Sequence, residues 1–204
     1  DGQPIPQNSV ISHISFVKAG AGTGSANITI TSADGKASKS FTCEFSACNY
    51  GLVAGSRVTV TKVTPAKAVS FAGFSGNYCS GETCDFVVAG AGSITANFEQ
   101  TATVMVTKEE GAQGSVDVTY DKPGDEIDPV TCADCAGQEL TVVAGSLINA
   151  TAVPVADESE FSGWTGCTQV QNSKEWCFAT APAAGKTLEI KAKFNPLYRV
   201  QVNP

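Results

Sequence analysis

One stretch of this chain is written twice. Val53-Ala54-Gly55-Ser56 runs on to Phe71-Ala72-Gly73-Phe74-Ser75-Gly76, and Val143-Ala144-Gly145-Ser146 runs on to Phe161-Ser162-Gly163-Trp164-Thr165-Gly166. The two copies align without a gap at a constant offset of 90 residues, which reads as two modules of one kind. In a chain of 204 residues each module then holds about 100 residues and buries only a modest core.

The segments flanking the repeated stretch repeat as well. Ile14 and Phe16 alternate with His13 and Ser15, the chain turns through Gly20 to Gly24, and Ala26, Ile28 and Ile30 alternate with Asn27, Thr29 and Thr31. The second copy has Val104 and Val106, a turn through Gly111 to Gly114, then Val116, Val118 and Tyr120. Each module closes on one alternation, Ile94-Thr95-Ala96-Asn97-Phe98 in the first and Ile190-Lys191-Ala192-Lys193-Phe194 in the second. A period of two is that of a strand with one face buried, and no helical stripe of useful length occurs. The expected fold is all-β: two tandem small antiparallel modules, β-sandwich or β-grasp-like. Residues 1–9 read as a leader or linker, 10–100 as module one and 101–196 as module two. Residues 197–204, with Val200-Gln201-Val202, read as the start of a third module cut from a longer array.

Eight cysteines divide evenly: Cys43, Cys48, Cys79 and Cys84 in the first module, Cys132, Cys135, Cys167 and Cys177 in the second. Even counts in small Gly- and Thr-rich modules read as disulfides formed outside the cytoplasm, two per module. Four cysteines allow three pairings; proximity in sequence favours Cys43 with Cys48, Cys79 with Cys84, Cys132 with Cys135 and Cys167 with Cys177. Two other readings stand beside this one. Cys132-Ala133-Asp134-Cys135 has the spacing of a redox pair, although no βαβ pattern surrounds it, and the four cysteines of module two could converge on zinc.

The order of strand, Gly-rich turn, strand, Cys pair, Val-Ala-Gly-Ser, Phe-x-Gly-Phe/Trp-Ser/Thr-Gly, Cys pair and a closing Ala-x-Phe resembles the divergent internalin B-repeats of bacterial extracellular proteins. The resemblance spans about residues 10–100 and 101–194, with Phe74 where such repeats usually carry tryptophan. It implies β-rich modules strung along secreted or surface-attached proteins as spacers, adhesion segments or appendages to other domains. It carries no catalytic residues.

Chemistry-bearing residues are sparse. His13 is the only histidine, so one module has a single possible base and the other has none. Asp121, Asp125, Glu126 and Asp128 cluster near Pro123-Gly124 and are weak calcium candidates without the spacing of a calcium loop. Asp157, Glu158 and Glu160 form a second acidic group. Tyr50, Tyr78 and Trp176 lie beside cysteines in presumed loops, where an exposed ring could stack on a sugar. Phe71, Phe74, Phe161 and Trp164 are expected in the core. Lys18 and Lys108 occupy matching positions after the first strand, the place for a surface lysine or an isopeptide bond.

A net charge of −7 repels phosphate backbones and anionic lipid, and no apolar run nears the roughly 18 residues that span a bilayer. Nucleic acid and direct membrane insertion are therefore not expected. The sequence reads as non-catalytic spacer or adhesion modules of a secreted or cell-surface bacterial protein, with no cofactor. Its expected partners are neighbouring modules of the same chain and a surface protein or polysaccharide; the alternative is a carbohydrate-binding accessory module of a secreted hydrolase.

Overall fold

The computed structural model describes residues 10–45, 48–109, 113–123 and 130–198. The leader at 1–9, the residues Asp125, Glu126 and Asp128, and the segment 199–204 lie outside the described residues. The chain divides into two compact units, Asp1–Gln100 and Thr101–Pro204.

The first unit contains β1 (Ile11–Ala19), β2 (Gly24–Thr31), β3 (Ser38–Glu44), β4 (Cys48–Val53), β5 (Arg57–Pro65), β6 (Val69–Gly76), β7 (Cys84–Val87) and the first part of β8 (Gly92–Lys108). One sheet has the order β6-β8-β1-β4 and the other β3-β2-β5-β7. The second unit takes the later part of β8 and adds β9 (Ser115–Tyr120), β10 (Val130–Cys132), β11 (Gln138–Val143), β12 (Leu147–Val153), β13 (Ser159–Thr165), β14 (Thr168–Val170), β15 (Ser173–Thr180) and β16 (Thr187–Pro196). Its sheets run β13-β16-β8-β11 and β10-β9-β12-β15-β14. Strand for strand this is the topology of the first unit, with the short β14 added at one edge.

Each unit is all-β, and one expectation needs correcting: the pairing is not wholly antiparallel. β1 lies parallel to β8, from Ile14 opposite Gly92 to Ala19 opposite Asn97. In the second unit β8 lies parallel to β16, from Thr103 opposite Thr187 to Lys108 opposite Ala192. The first and last strands of a unit are separated by the whole of its chain, far more than the dozen or so residues a parallel crossover needs. Side-chain alternation is the same in both kinds of ladder and could not distinguish them. No helix occurs among the described residues, and two sheets sharing one interior make each unit a sandwich rather than a β-grasp.

The interiors correspond position by position. Ile14, Phe16, Ala26, Ile28, Val58, Ile94, Ala96 and Phe98 are buried in the first unit; Val104, Val106, Val116, Val118, Ile148, Ile190, Ala192 and Phe194 are buried in the second. Both sheets of a unit contribute to each set, and the residues alternate with exposed or half-exposed ones along the strands, as a two-sheet core requires.

The repeated aromatic motif has a specific mechanical meaning. In a regular strand two residues three apart face opposite ways. Phe71 opposes Phe98 and Phe74 opposes Ala96, so β6 uses three steps where β8 uses two, and the extra residue is a β-bulge. In the second unit the slip falls between Phe161 and Gly163 opposite Phe194 and Lys193. Gly73 (φ 101°) and Gly163 (φ 155°) supply the positive φ. The slip returns both rings to one face, where Phe71 meets Phe74 at 4.7 Å and Phe161 meets Trp164 at 5.3 Å between centroids. Phe98 and Phe194 each complete a trio at 5.8 Å. Only Phe74 of the four expected core aromatics is fully buried; Phe71, Phe161 and Trp164 are half-buried at the sheet margin. There the Trp164 indole N–H donates to the Glu175 carbonyl at 3.2 Å.

Candidate functional site

The cysteines occupy equivalent places despite unequal spacings. Cys43 on β3 is bonded to Cys48 on β4, and Cys132 on β10 to Cys135 just before β11. Cys79 after β6 is bonded to Cys84 on β7, and Cys167 after β13 to Cys177 on β15. Each bridge sits where the chain crosses from one sheet to the other, one on either side of the sandwich. At least one partner of every bridge is buried with the core: Cys43, both Cys79 and Cys84, Cys135 and Cys177. In this arrangement the sulfurs of Cys132 and Cys135 and of Cys167 and Cys177 are committed to two separate bonds, which leaves no thiolates for a four-cysteine zinc site.

The three ring candidates meet different fates. Tyr78 is no platform: its ring stacks on Phe86 at 4.4 Å and 18°. Its hydroxyl donates to the Gly90 carbonyl at 2.6 Å and accepts from the Gly90 N–H at 2.8 Å. Tyr50 is half-buried, 5.6 Å from Phe41 and 6.1 Å from Phe16, and burial raises its hydroxyl pKa. It lines an open, mainly apolar groove of about 630 Å³ with Ile30, Phe41, Leu52 and Val53, between the edge strands β3 and β4. Trp176 on β15 is 52% exposed.

Trp176 does not stand alone, because β15 presents alternate residues to one face and Phe178 shares that face. The register sets Trp176 beside Thr151 and Phe178 beside Asn149, with Thr119 of β9 beyond Asn149. Together they line a cleft of about 260 Å³ on the outer face of the second sheet of unit two. The Asn149 Oδ1 atom is buried and accepts no hydrogen bond. Sequence reasoning found Trp176 but missed Phe178, Asn149 and Thr119; the alternation Trp176-Cys177-Phe178 was the available signal. In the first unit the same face is occupied differently. Arg57 grips Asp85 at 2.8 and 2.5 Å, and the Thr59 hydroxyl donates to Asp85 at 3.1 Å. The pairing lowers the Asp85 pKa and raises that of Arg57, chiefly through their hydrogen bonds.

The remaining candidates do not converge. His13 is exposed on β1, and Asp121, Asp157, Glu158 and Glu160 are exposed; no metal-holding group forms among the described residues. The Lys18 ammonium donates to the Gly22 carbonyl at 3.3 Å and that of Lys108 to the Gly114 carbonyl at 2.8 Å. Both lysines thus tie down the turn after the first strand of their unit.

With both units laid out, residues 26–102 match the family model of the divergent InlB B-repeat domain. That stretch of this chain is similar to a divergent InlB B-repeat. The matched stretch runs from within β2 through β7 into the first part of β8, including the bulged aromatic motif and both bridges of unit one. No curated protein matches the chain. Among solved structures, a C-terminal fragment of the pilus adhesin SpaC from Lactobacillus rhamnosus GG is similar at 13% identity and TM-score 0.34, covering 93% of this chain and 100% of the fragment. The Bacillus anthracis TIE protein is similar at 13% identity and TM-score 0.34, with 91% of this chain and 34% of that one covered. A Streptococcal ancillary pilin is similar at 11% identity and TM-score 0.28, with 93% and 64% covered.

Proposed function

We propose that the chain is a pair of non-catalytic extracellular repeat modules that carry tension between neighbouring parts of a longer surface or secreted protein, and that residues 10–100 and 101–196 act as its two working modules. Divergent InlB B-repeats are extracellular repeats, and four disulfides suit the same side of the membrane. The partners in this reading are adjacent modules of the same polypeptide and, where a face is presented, a protein or polysaccharide of the cell exterior.

One observation carries the proposal: in each unit the first and last strands are parallel neighbours. A chain entering at the start of β1 and leaving at the end of β8's first part emerges at the opposite end of that strand pair. Tension therefore shears the ladder, loading the pairs from Ile14–Gly92 to Ala19–Asn97 together instead of one after another. The second unit repeats the device from Thr103–Thr187 to Lys108–Ala192. β1 and β4 are antiparallel, with Ile11 opposite Val53, so pulling at those two residues would unzip their ladder.

Force spectroscopy with bio-orthogonal handles tests this directly. Handles at residues 10 and 100 should give a markedly higher rupture force for unit one than handles at residues 10 and 54. Equal forces would refute the tension-carrying role.

A further inference from the structure

The two units share an interior and differ on the outer face of their second sheet. Thr59 and Asp85 pair across β5 and β7 just as Asn149 and Phe178 pair across β12 and β15. In the first unit that face is closed upon itself, because Arg57 and Thr59 already occupy the oxygens of Asp85. In the second unit Trp176 and Phe178 stand 52% and 36% exposed over the cleft floored by Thr119, Asn149 and Thr151.

Three properties of the lining define an occupant. Two aromatic faces favour a partner that offers polarised C–H bonds over a flat area. No ionisable side chain lines the cleft, so a charged ligand would leave water without a counter-charge. The buried, unpartnered Asn149 Oδ1 needs a donor, which a purely apolar ligand lacks. A proline-rich peptide also suits aromatic grooves, yet proline has no N–H to give that oxygen. A neutral pyranose meets all three conditions, with an apolar ring face and a rim of hydroxyls that both donate and accept.

We propose that this cleft on unit two is a carbohydrate-binding site for a neutral glycan. The sugar's C–H face lies on Trp176 and Phe178, a turn of the half-buried Asn149 amide brings its unpartnered Oδ1 to accept from one hydroxyl, and the Thr119 and Thr151 hydroxyls exchange hydrogen bonds with its neighbours. The site adds recognition to the tension-carrying role and does not depend on it, since the strands that bear the shear are β8 and β16, in the other sheet.

The test uses the whole 204-residue chain. It is screened on an array of neutral glucans, mannans, galactans and N-acetylglucosamine oligomers, with proline-rich peptides printed alongside, and hits are titrated by intrinsic tryptophan fluorescence and calorimetry. The expected result is saturable binding to at least one glycan class, weakened about tenfold or more by Trp176→Ala and by Phe178→Ala. Asn149→Ala should weaken it too, whereas Arg57→Ala on the matching face of unit one should leave it unchanged. Circular dichroism and melting of Trp176→Ala, whose ring is largely in solvent, should match the parent and so separate lost binding from lost fold. Absence of glycan binding by the folded parent would overturn the proposal. So would binding that survives both aromatic substitutions, or capture of proline-rich peptides in place of glycans.

Discussion

Gly76 and Gly166 occupy equivalent places at the end of the bulged strand, and replacing either by alanine should be among the most damaging small changes available. A β-carbon on Gly76 would overlap the Ser93 carbonyl oxygen, and one on Gly166 the Glu189 carbonyl oxygen. Those oxygens belong to the backbones of β8 and β16, which are paired on both sides and cannot yield alone. The close approach at Gly76 is also what lets the Asn77 N–H donate to Ser93 at 3.1 Å. Positive φ, 131° and 85° at the two glycines, adds a penalty for any L residue of about 1–2 kcal/mol. Displacing the strand forfeits one or two ladder hydrogen bonds at about 1 kcal/mol each, giving about 3 kcal/mol in all. Gly81 (φ 76°) and Gly145 (φ 88°) are the controls, since a β-carbon there meets nothing within 4 Å. Alanine at either control should cost only about 1 kcal/mol, because the φ penalty is partly offset by a stiffer unfolded chain. Urea denaturation read by pulsed hydrogen exchange assigns each loss to its own strands. If Gly76→Ala and Gly166→Ala cost no more than the controls, the close approach is not what selects glycine.

Three further outcomes follow from the same geometry. Phe98→Ala and Phe194→Ala each remove the ring that completes an aromatic trio, and because both are buried the expected loss is about 3–5 kcal/mol in denaturant titration. Reducing the bridges frees hidden chain: with about 3.5 Å per residue less the 5.0–5.9 Å already spanned, the contour gained in force extension should rise by about 24 Å for unit one and about 34 Å for unit two. The Asp85 carboxylate has a lowered pKa in the folded chain, so its contribution is present above the unfolded value near about 3.9 and fades as pH falls through the folded one. Asp85→Asn should therefore flatten a small acid-side decline in melting temperature, and the difference should shrink in high salt, as befits an exposed pair.

Much of this architecture could be read from alternation, because a buried strand face leaves a period of two. Ile94-Ala96-Phe98 and Ile190-Ala192-Phe194 are buried as that period required. Strand direction leaves no such trace, which is why the parallel pairing of β1 with β8 emerged only in three dimensions. The bulge was hidden for a related reason: Phe71 and Phe74 are three apart, a spacing that breaks the strand period unless an extra residue is inserted between them. Exposure of the three candidate rings, two of which lie on strands and not in loops, was decided by distant neighbours: Phe86 covers Tyr78, whereas Trp176 is left 52% exposed. The cleft itself joins β9, β12 and β15, and one sequence cannot reveal such a juxtaposition before the register is known.

What the units hold constant about their bridges is place rather than spacing. The separation is 5 residues for Cys43–Cys48 but 3 for Cys132–Cys135, and 5 for Cys79–Cys84 but 10 for Cys167–Cys177. Loops this short restrict the unfolded chain by only about 2–3 kcal/mol per bridge, and a change in loop length between copies alters that little. Their common position at both crossovers between sheets points to a local role. A sandwich opens first at its edges, where a strand has one neighbour instead of two, and a bridge there ties sheet to sheet without crossing the core. Mild reduction should then speed amide exchange at β3, β4, β10 and β11 well before it does so at β1, β8 and β16. A uniform rise across every strand would mean that the bridges act through the entropy of the unfolded chain, and the local role would be refuted.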